Sequence, residues 1–199
     1  MDVGVLYSGG KDSTLAALVL DPFYEVTLVS ATFGITDAAD HAHEAADAVG
    51  FPLKTVELDD AVAREAAARM VEDGFPRNGI QQVHDHVLEV VAAESFSTVA
   101  DGTRRDDRVP TVSRAKAQSL EDRHDVDYVA PLSGFGRGAV DDLVDAQLVV
   151  EEGPSEEIPK ADYEVELREL IRREFEDGAV EDVFPAHEQT RVVGARDSD

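Results

Sequence analysis

The residues best suited to chemistry form one short run, Ser8-Gly9-Gly10-Lys11-Asp12-Ser13, which follows the apolar stretch Val3-Gly4-Val5-Leu6-Tyr7. Gly9 and Gly10 let backbone N–H groups turn inward with no Cβ in the way, and a helix starting there adds partial positive charge. Ser8 and Ser13 contribute hydroxyl donors, and Lys11 a mobile full charge. Such a turn cradles phosphate oxygens. Asp12 is out of place against phosphate unless a Mg²⁺ ion lies between them, which is the simplest reason for a carboxylate there. The GxxxxGK[ST] spacing of a Walker A loop is absent, and so is GxGxxG.

For the loop to work, a buried strand must hand over to a helix, because ligands in open α/β sheets bind outside the carboxyl ends of the strands. The pattern supplies this. The apolar run at residues 3–7 reads as a strand, and Ser13 to Leu20 as a helix stopped by Asp21-Pro22. Further strands are expected over Val26–Phe33, Leu53–Leu58, Ser97–Ala100 and Tyr128–Ala130. Helices are expected over Asp37–Val49, Asp60–Glu72, Gln81–Ser95 and Val112–Arg123, with a loop at Phe75–Gly79. Alternation with helical crossovers predicts an α/β fold: a doubly wound, mostly parallel five-stranded sheet with helices on both faces. After Leu132 the character changes to a turn at Ser133–Gly138, a short helix near Asp141–Leu148 and an acidic linker at Glu151–Pro159. A helix over Tyr163–Asp177 and a last edge strand at Gln189–Val193 follow. Residues 1–135 are thus expected to be the nucleotide-binding domain, and 136–199 a small C-terminal helical appendage packed on it.

The chain has 199 residues, with 43 acidic against 18 basic and a formal net charge of -25. Asp and Glu are scattered through every segment, which favours a halophilic, salt-adapted surface over a patch for a basic partner. Local arginines can still form a nucleic-acid patch on such a protein. With no cysteine present, a disulfide, a zinc-thiolate site, an iron–sulfur cluster and a cysteine nucleophile are all excluded within the chain. Met1-Asp2-Val3 lacks the basic start of a signal peptide, and no apolar stretch approaches the roughly 18 residues of a membrane span, so a cytoplasmic location away from membranes is expected. The histidine pairs His41/His43 and His84/His86 are spaced by two on expected helices and read as surface residues.

The hexapeptide and its position after the first strand resemble the PP-loop ATPases, or N-type ATP pyrophosphatases, of the adenine nucleotide α-hydrolase superfamily. The match to their Ser-Gly-Gly-x-Asp-Ser signature is complete, and strand and helix order agree over roughly residues 1–132. The resemblance implies that ATP and Mg²⁺ are bound and that ATP is cleaved between its α and β phosphates. A substrate is adenylated, pyrophosphate leaves, and a nitrogen or sulfur nucleophile then displaces AMP, as in tRNA modification or amide formation. The alternative on the same fold is a non-catalytic ATP- or AMP-binding module or subunit.

Asp101-Gly102-Thr103-Arg104-Arg105-Asp106-Asp107 resembles the Gly-x-x-x-Asp-Asp segment of tRNA-modifying members. By that likeness Gly102 and Thr103 approach the nucleotide. Asp106 and Asp107 hold Mg²⁺ with Asp12, and Arg104, Arg105 or Arg108 meets the α-phosphate or the substrate. Thr32 and Phe33 stand where family members hold adenine through backbone groups; a strand end packed in the core is the alternative. Arg77 and Asn78 face substrate, or form a plain surface loop. Arg114 and Lys116 touch phosphate, or lie on a solvated helix face. Lys11, Asp12, Asp106 and Asp107 are the expected catalytic set, with Ser8, Gly9, Gly10 and Ser13 completing the cradle and Arg77, Arg104 and Arg114 on substrate. The substrate is an RNA base or a small acid. The opening Tyr7 to Ser13 is similar to that of diphthine ammonia ligases, without the rest of that pattern. The missing cysteines and the missing glutaminase domain make a separate sulfur-carrier protein or amidotransferase, and a second copy of the chain, the candidate partners.

Overall fold

The protein is described by a computed structural model covering residues 1–155, 158, 161–176, 179–186 and 188–196. Five strands form its main sheet: β1 (Asp2–Leu6), β2 (Glu25–Thr32), β3 (Leu53–Glu57), β4 (Thr98–Ala100) and β5 (Asp127–Val129). Their order is β3-β2-β1-β4-β5 and every pairing is parallel. Crossovers are made by α1 (Lys11–Leu20), α2 (Ala38–Val49), the pair α3 (Asp60–Asp73) and α4 (Arg77–Ala92), and α5 (Arg114–His124). From β1 the chain winds outward through β2 and β3, then returns to the other side of β1 for β4 and β5. That reversal opens a crevice beyond the carboxyl ends of β1 and β4.

Alternation along β1 divides the core between two faces. Val3, Val5 and Tyr7 pack with Leu15, Ala16 and Ala45 of α1 and α2. Leu6 points the other way, into Val29, Ala31, Val83 and Val87. Both faces are covered, so the sheet is doubly wound.

The C-terminal segment serves both faces. It comprises α6 (Arg137–Gln147), β6 (Leu148–Pro154), α7 (Tyr163–Glu174), α8 (Ala179–Val183) and β7 (Glu188–Ala195). Val140, Val144, Leu148 and Val192 join the first core, whereas Leu167, Ile171, Val180 and Phe184 join the second.

Two local expectations are corrected here. The acidic linker begins as strand: β6 pairs antiparallel with β7, setting Glu151 opposite Arg191 and Glu152 opposite Thr190. The last strand therefore belongs to a separate ribbon and does not extend the main sheet. The loop at Phe75–Gly79 is shorter than expected because α4 starts at Arg77, behind Pro76, and Gly79 packs inside its first turn against Met70. Pro159 and Asp177, the expected ends of linker and helix, lie outside the described residues.

Candidate functional site

The loop between β1 and α1 is braced from within. Gly9 takes φ +72°, which reverses the backbone where a side chain would be strained. Gly10 caps α1, and its carbonyl accepts the hydroxyls of Ser13 (3.1 Å) and Thr14 (2.9 Å). The Ser8 and Ser13 hydroxyls are 3.3 Å apart. Outside, the ribbon leans on the loop. The Val192 N–H donates to the Gly9 carbonyl at 2.9 Å, and the Lys11 ammonium lies 3.9 Å from Glu152.

Asp12, in the first turn of α1, has an Oδ1 atom that is buried without a hydrogen-bond partner. The nearest cation is the Arg104 guanidinium, 3.5 Å away. Burial pushes the Asp12 carboxyl above the usual range, although Arg104 and Lys11 pull the other way. A divalent cation would satisfy that oxygen.

The loop after β4 comes into direct contact. A Cβ on Gly102 would lie 2.8 Å from the Ser13 nitrogen, so only glycine lets the two loops meet here. Close approach is thus to the α1 backbone. The Arg104 N–H donates to Asp107 at 2.7 Å, and the Arg104 Nε to Asp106 at 3.3 Å. Asp107 lines the same cavity as Asp12, and burial raises its carboxyl too. Asp106 is exposed outside that lining and holds Arg104.

The cavity measures about 310 Å³. Leu6, Val29, Ala31, Ile80, Val87 and Val109 form apolar walls, and Ser8, Asp12, Ser13, Gly102, Thr103 and Asp107 a polar end. Its lining contains a buried network around His84, a residue that the sequence reading placed on the surface. His84 is only 4% exposed, with Nε2 3.0 Å from Asp101 and Nδ1 3.3 Å from the Tyr163 hydroxyl. Asp101 also accepts the Tyr128 hydroxyl (2.9 Å) and both the N–H and hydroxyl of Thr103 (2.9 and 2.6 Å). Burial alone would raise the Asp101 carboxyl, but the donors from His84 and Thr103 hold it below the usual range. Asp101 thereby fixes the start of the 101–107 loop. The signal was present: His84 falls between Ile80, Val83, Val87 and Leu88 on the apolar face of α4.

A second missed residue is Glu166, fully buried on α7. Its carboxylate accepts the Thr32 hydroxyl and the N–H groups of Phe33 and Ile35, each at 2.9 Å. Where the resemblance places adenine, the donors at the end of β2 are already committed. Thr32 and Phe33 lie outside the cavity lining. Arg77 and Arg114 open α4 and α5 and also lie outside it.

A family model described as "Family of unknown function (DUF7411)" matches residues 1–194. The chain belongs to that family. Among relatives, "Uncharacterized protein MJ0690" of Methanocaldococcus jannaschii is 42% identical over 197 residues, covering 98% of this chain and 97% of that protein. A crystal structure described as a predicted subunit of tRNA methyltransferase from Methanocaldococcus jannaschii superposes with a TM-score of 0.89 and 40% identity, covering all of both chains. The DUF7411 fold thus extends over the C-terminal segment as well as the sheet. Among the described residues, no helix is long and apolar enough to cross a membrane, and no cluster of three or more metal-binding side chains is present.

Proposed function

We propose that this DUF7411 member is an ATP pyrophosphatase of the PP-loop type that adenylates an RNA substrate. The observation that carries the reading is the Asp12 Oδ1 atom, which makes no hydrogen bond and only a 3.5 Å ion pair to Arg104, set beside Asp107 where the Ser8–Ser13 loop meets the cavity. Arg104 reaches that oxygen only at 3.5 Å, with no closer hydrogen bond, and phosphate with Mg²⁺ would bring a second cation. Mg²⁺ is typically held by one or two carboxylates plus substrate phosphates, and Asp12 and Asp107 line the same cavity. Asp12 and Asp107 would hold it, and the ion would neutralise the departing pyrophosphate.

The chain's own groups do the rest. The N–H groups of Gly10 and the first turn of α1, with Lys11, hold the β- and γ-phosphates; Arg104 meets charge developing on the α-phosphate. The base enters the apolar walls at Leu6, Val29, Ala31 and Ile80. Thr32 and Phe33 support that wall through Glu166 in place of the adenine contact implied by the resemblance. Asp106 keeps Arg104 aimed at Asp12. The likeness to a predicted tRNA methyltransferase subunit favours an RNA base over a small acid, and favours a separate partner chain, such as an amidotransferase or sulfur carrier.

The test is product analysis with ATP, Mg²⁺, transfer RNA and ammonia in strong salt. AMP and pyrophosphate are expected, and Lys11→Ala or Asp12→Ala should each lower their formation by ~10²-fold or more. ADP with orthophosphate would exclude this chemistry. ATP bound but never cleaved would leave a binding module.

A further inference from the structure

A second cleft, of about 490 Å³, lies between the first turn of α4 and the segment leading into α5. Arg77, Arg108 and Lys116 line it, beside the exposed ring of Phe75. In this chain of formal charge -25, Arg64, Arg123, Arg168 and Arg191 sit on carboxylates, whereas others, Arg105 and Arg137 among them, have none in an ion pair among the described residues. Among the described residues, Arg77, Arg108 and the neighbouring Arg114 pair with none. The one carboxylate in the cleft, Asp85, is ion-paired with Lys116. Three guanidinium groups are left facing water on one side of an acid-coated protein.

The cleft is a built feature. Gln81 clamps its two walls, donating to the Thr111 carbonyl at 3.0 Å and accepting the Thr111 N–H at 2.9 Å. The helices α4 and α5 both open here without an acidic residue in the first turn, as α6 does elsewhere, whereas α1, α2 and α3 carry one each and α7 two. Their N-terminal dipoles therefore remain available to an outside anion. The cleft also continues the nucleotide cavity. Pro76, Ile80 and Val109 line the cavity, and their chain neighbours Arg77, Gln81 and Arg108 line the cleft.

We propose that this cleft docks the phosphodiester backbone of an RNA, whose reacting base enters the adjoining cavity; the inference rests on the adenylation reading for the second clause alone. Guanidinium forks bind phosphate at contact distance, where added salt screens least, and arginine is less strongly hydrated than lysine. Phe75 offers a face on which an unpaired base can stack.

The experiment measures binding of a labelled, unmodified transfer RNA to the full chain at several salt concentrations, with ATP binding read separately by calorimetry. Arg77→Glu with Arg108→Glu is expected to weaken RNA binding about tenfold or more. The slope of log K against log salt should fall by about 1.4–1.8, for two lost phosphate contacts. If the double variant is unfolded by circular dichroism, Arg77→Ala and Arg108→Ala singly should each lower the slope by about 0.7–0.9. Unchanged RNA affinity in the charge-reversed protein overturns the proposal. So does a wild-type chain that binds ATP but no RNA, which leaves adenylation standing. Arginine-dependent RNA binding without ATP binding supports the cleft and breaks the adenylation reading. Polyglutamate that displaces RNA and binds equally tightly assigns the cleft to a protein partner and overturns the proposal.

Discussion

Ile80 and Gln81 are consecutive residues of α4, yet one faces a cavity with apolar walls and acidic residues such as Asp12 and Asp107 in its lining, and the other an open cleft lined by arginines. In the cavity, Asp12 and Asp107 are half-buried, which raises both carboxyls, and each has a partner beside it in Arg104. In the cleft, Arg77 and Arg108 keep their water and wait for charge from outside. Desolvation makes interactions strong and intolerant of change; exposure makes them weak, additive and sensitive to salt. The two sites should therefore respond to substitution on different scales.

The largest response is expected behind the cavity wall. Glu166→Ala leaves the Thr32 hydroxyl and the Phe33 and Ile35 N–H groups buried without an acceptor, at about 1–3 kcal/mol each. A loss of about 3 kcal/mol or more in urea unfolding, unaffected by salt, is expected; a change under about 0.5 kcal/mol would mean that this carboxylate is not what ties α7 to β2. Gly102→Ala comes next. Its methyl group would collide with the Asp12–Ser13 backbone, so the two loops must separate, and a loss of about 1–3 kcal/mol together with weaker ATP binding is expected. Wild-type ATP affinity in that variant would show that loop contact does not set the phosphate site.

Asp101 gives a smaller, pH-dependent effect. Its folded carboxyl is held below the ordinary value of 3.8, so its contribution to stability is present above that value and is lost as pH falls through the folded one. Asp101→Asn should be less stable than wild type at neutral pH, with the gap closing below about pH 4 in thermal melts. A gap of constant size would mean that the carboxylate charge is not what His84 and Thr103 stabilise. At the cleft, Arg108→Ala should leave stability within about 0.5 kcal/mol of wild type, since its guanidinium has no partner to lose.

The sheet and the strand-to-helix turn at Ser8–Ser13 were legible because burial on both faces writes long apolar runs, and because paired glycines mark a tight turn between them. The same composition hid the rest. With acid everywhere, Glu151 and Glu152 looked like linker although Leu148 to Val150 lead straight into them as strand. Glu166 is one acidic residue among many on its helix, and nothing in its spacing marks it as buried. His84 was set aside by its spacing to His86, when its spacing to Ile80 and Val87 was the informative one. Asp106 and Asp107 could not be told apart until the turn at Arg104 sent one outward and one inward.

The hydrogen bond from Val192 to Gly9 ties almost the last part of the fold to almost the first. During translation the sheet can assemble as each crossover leaves the ribosome, but the turn at Gly9 stays uncovered until β7 has emerged. A nascent chain of this kind carries the turn at Gly9 without its β7 cover until that strand has been made.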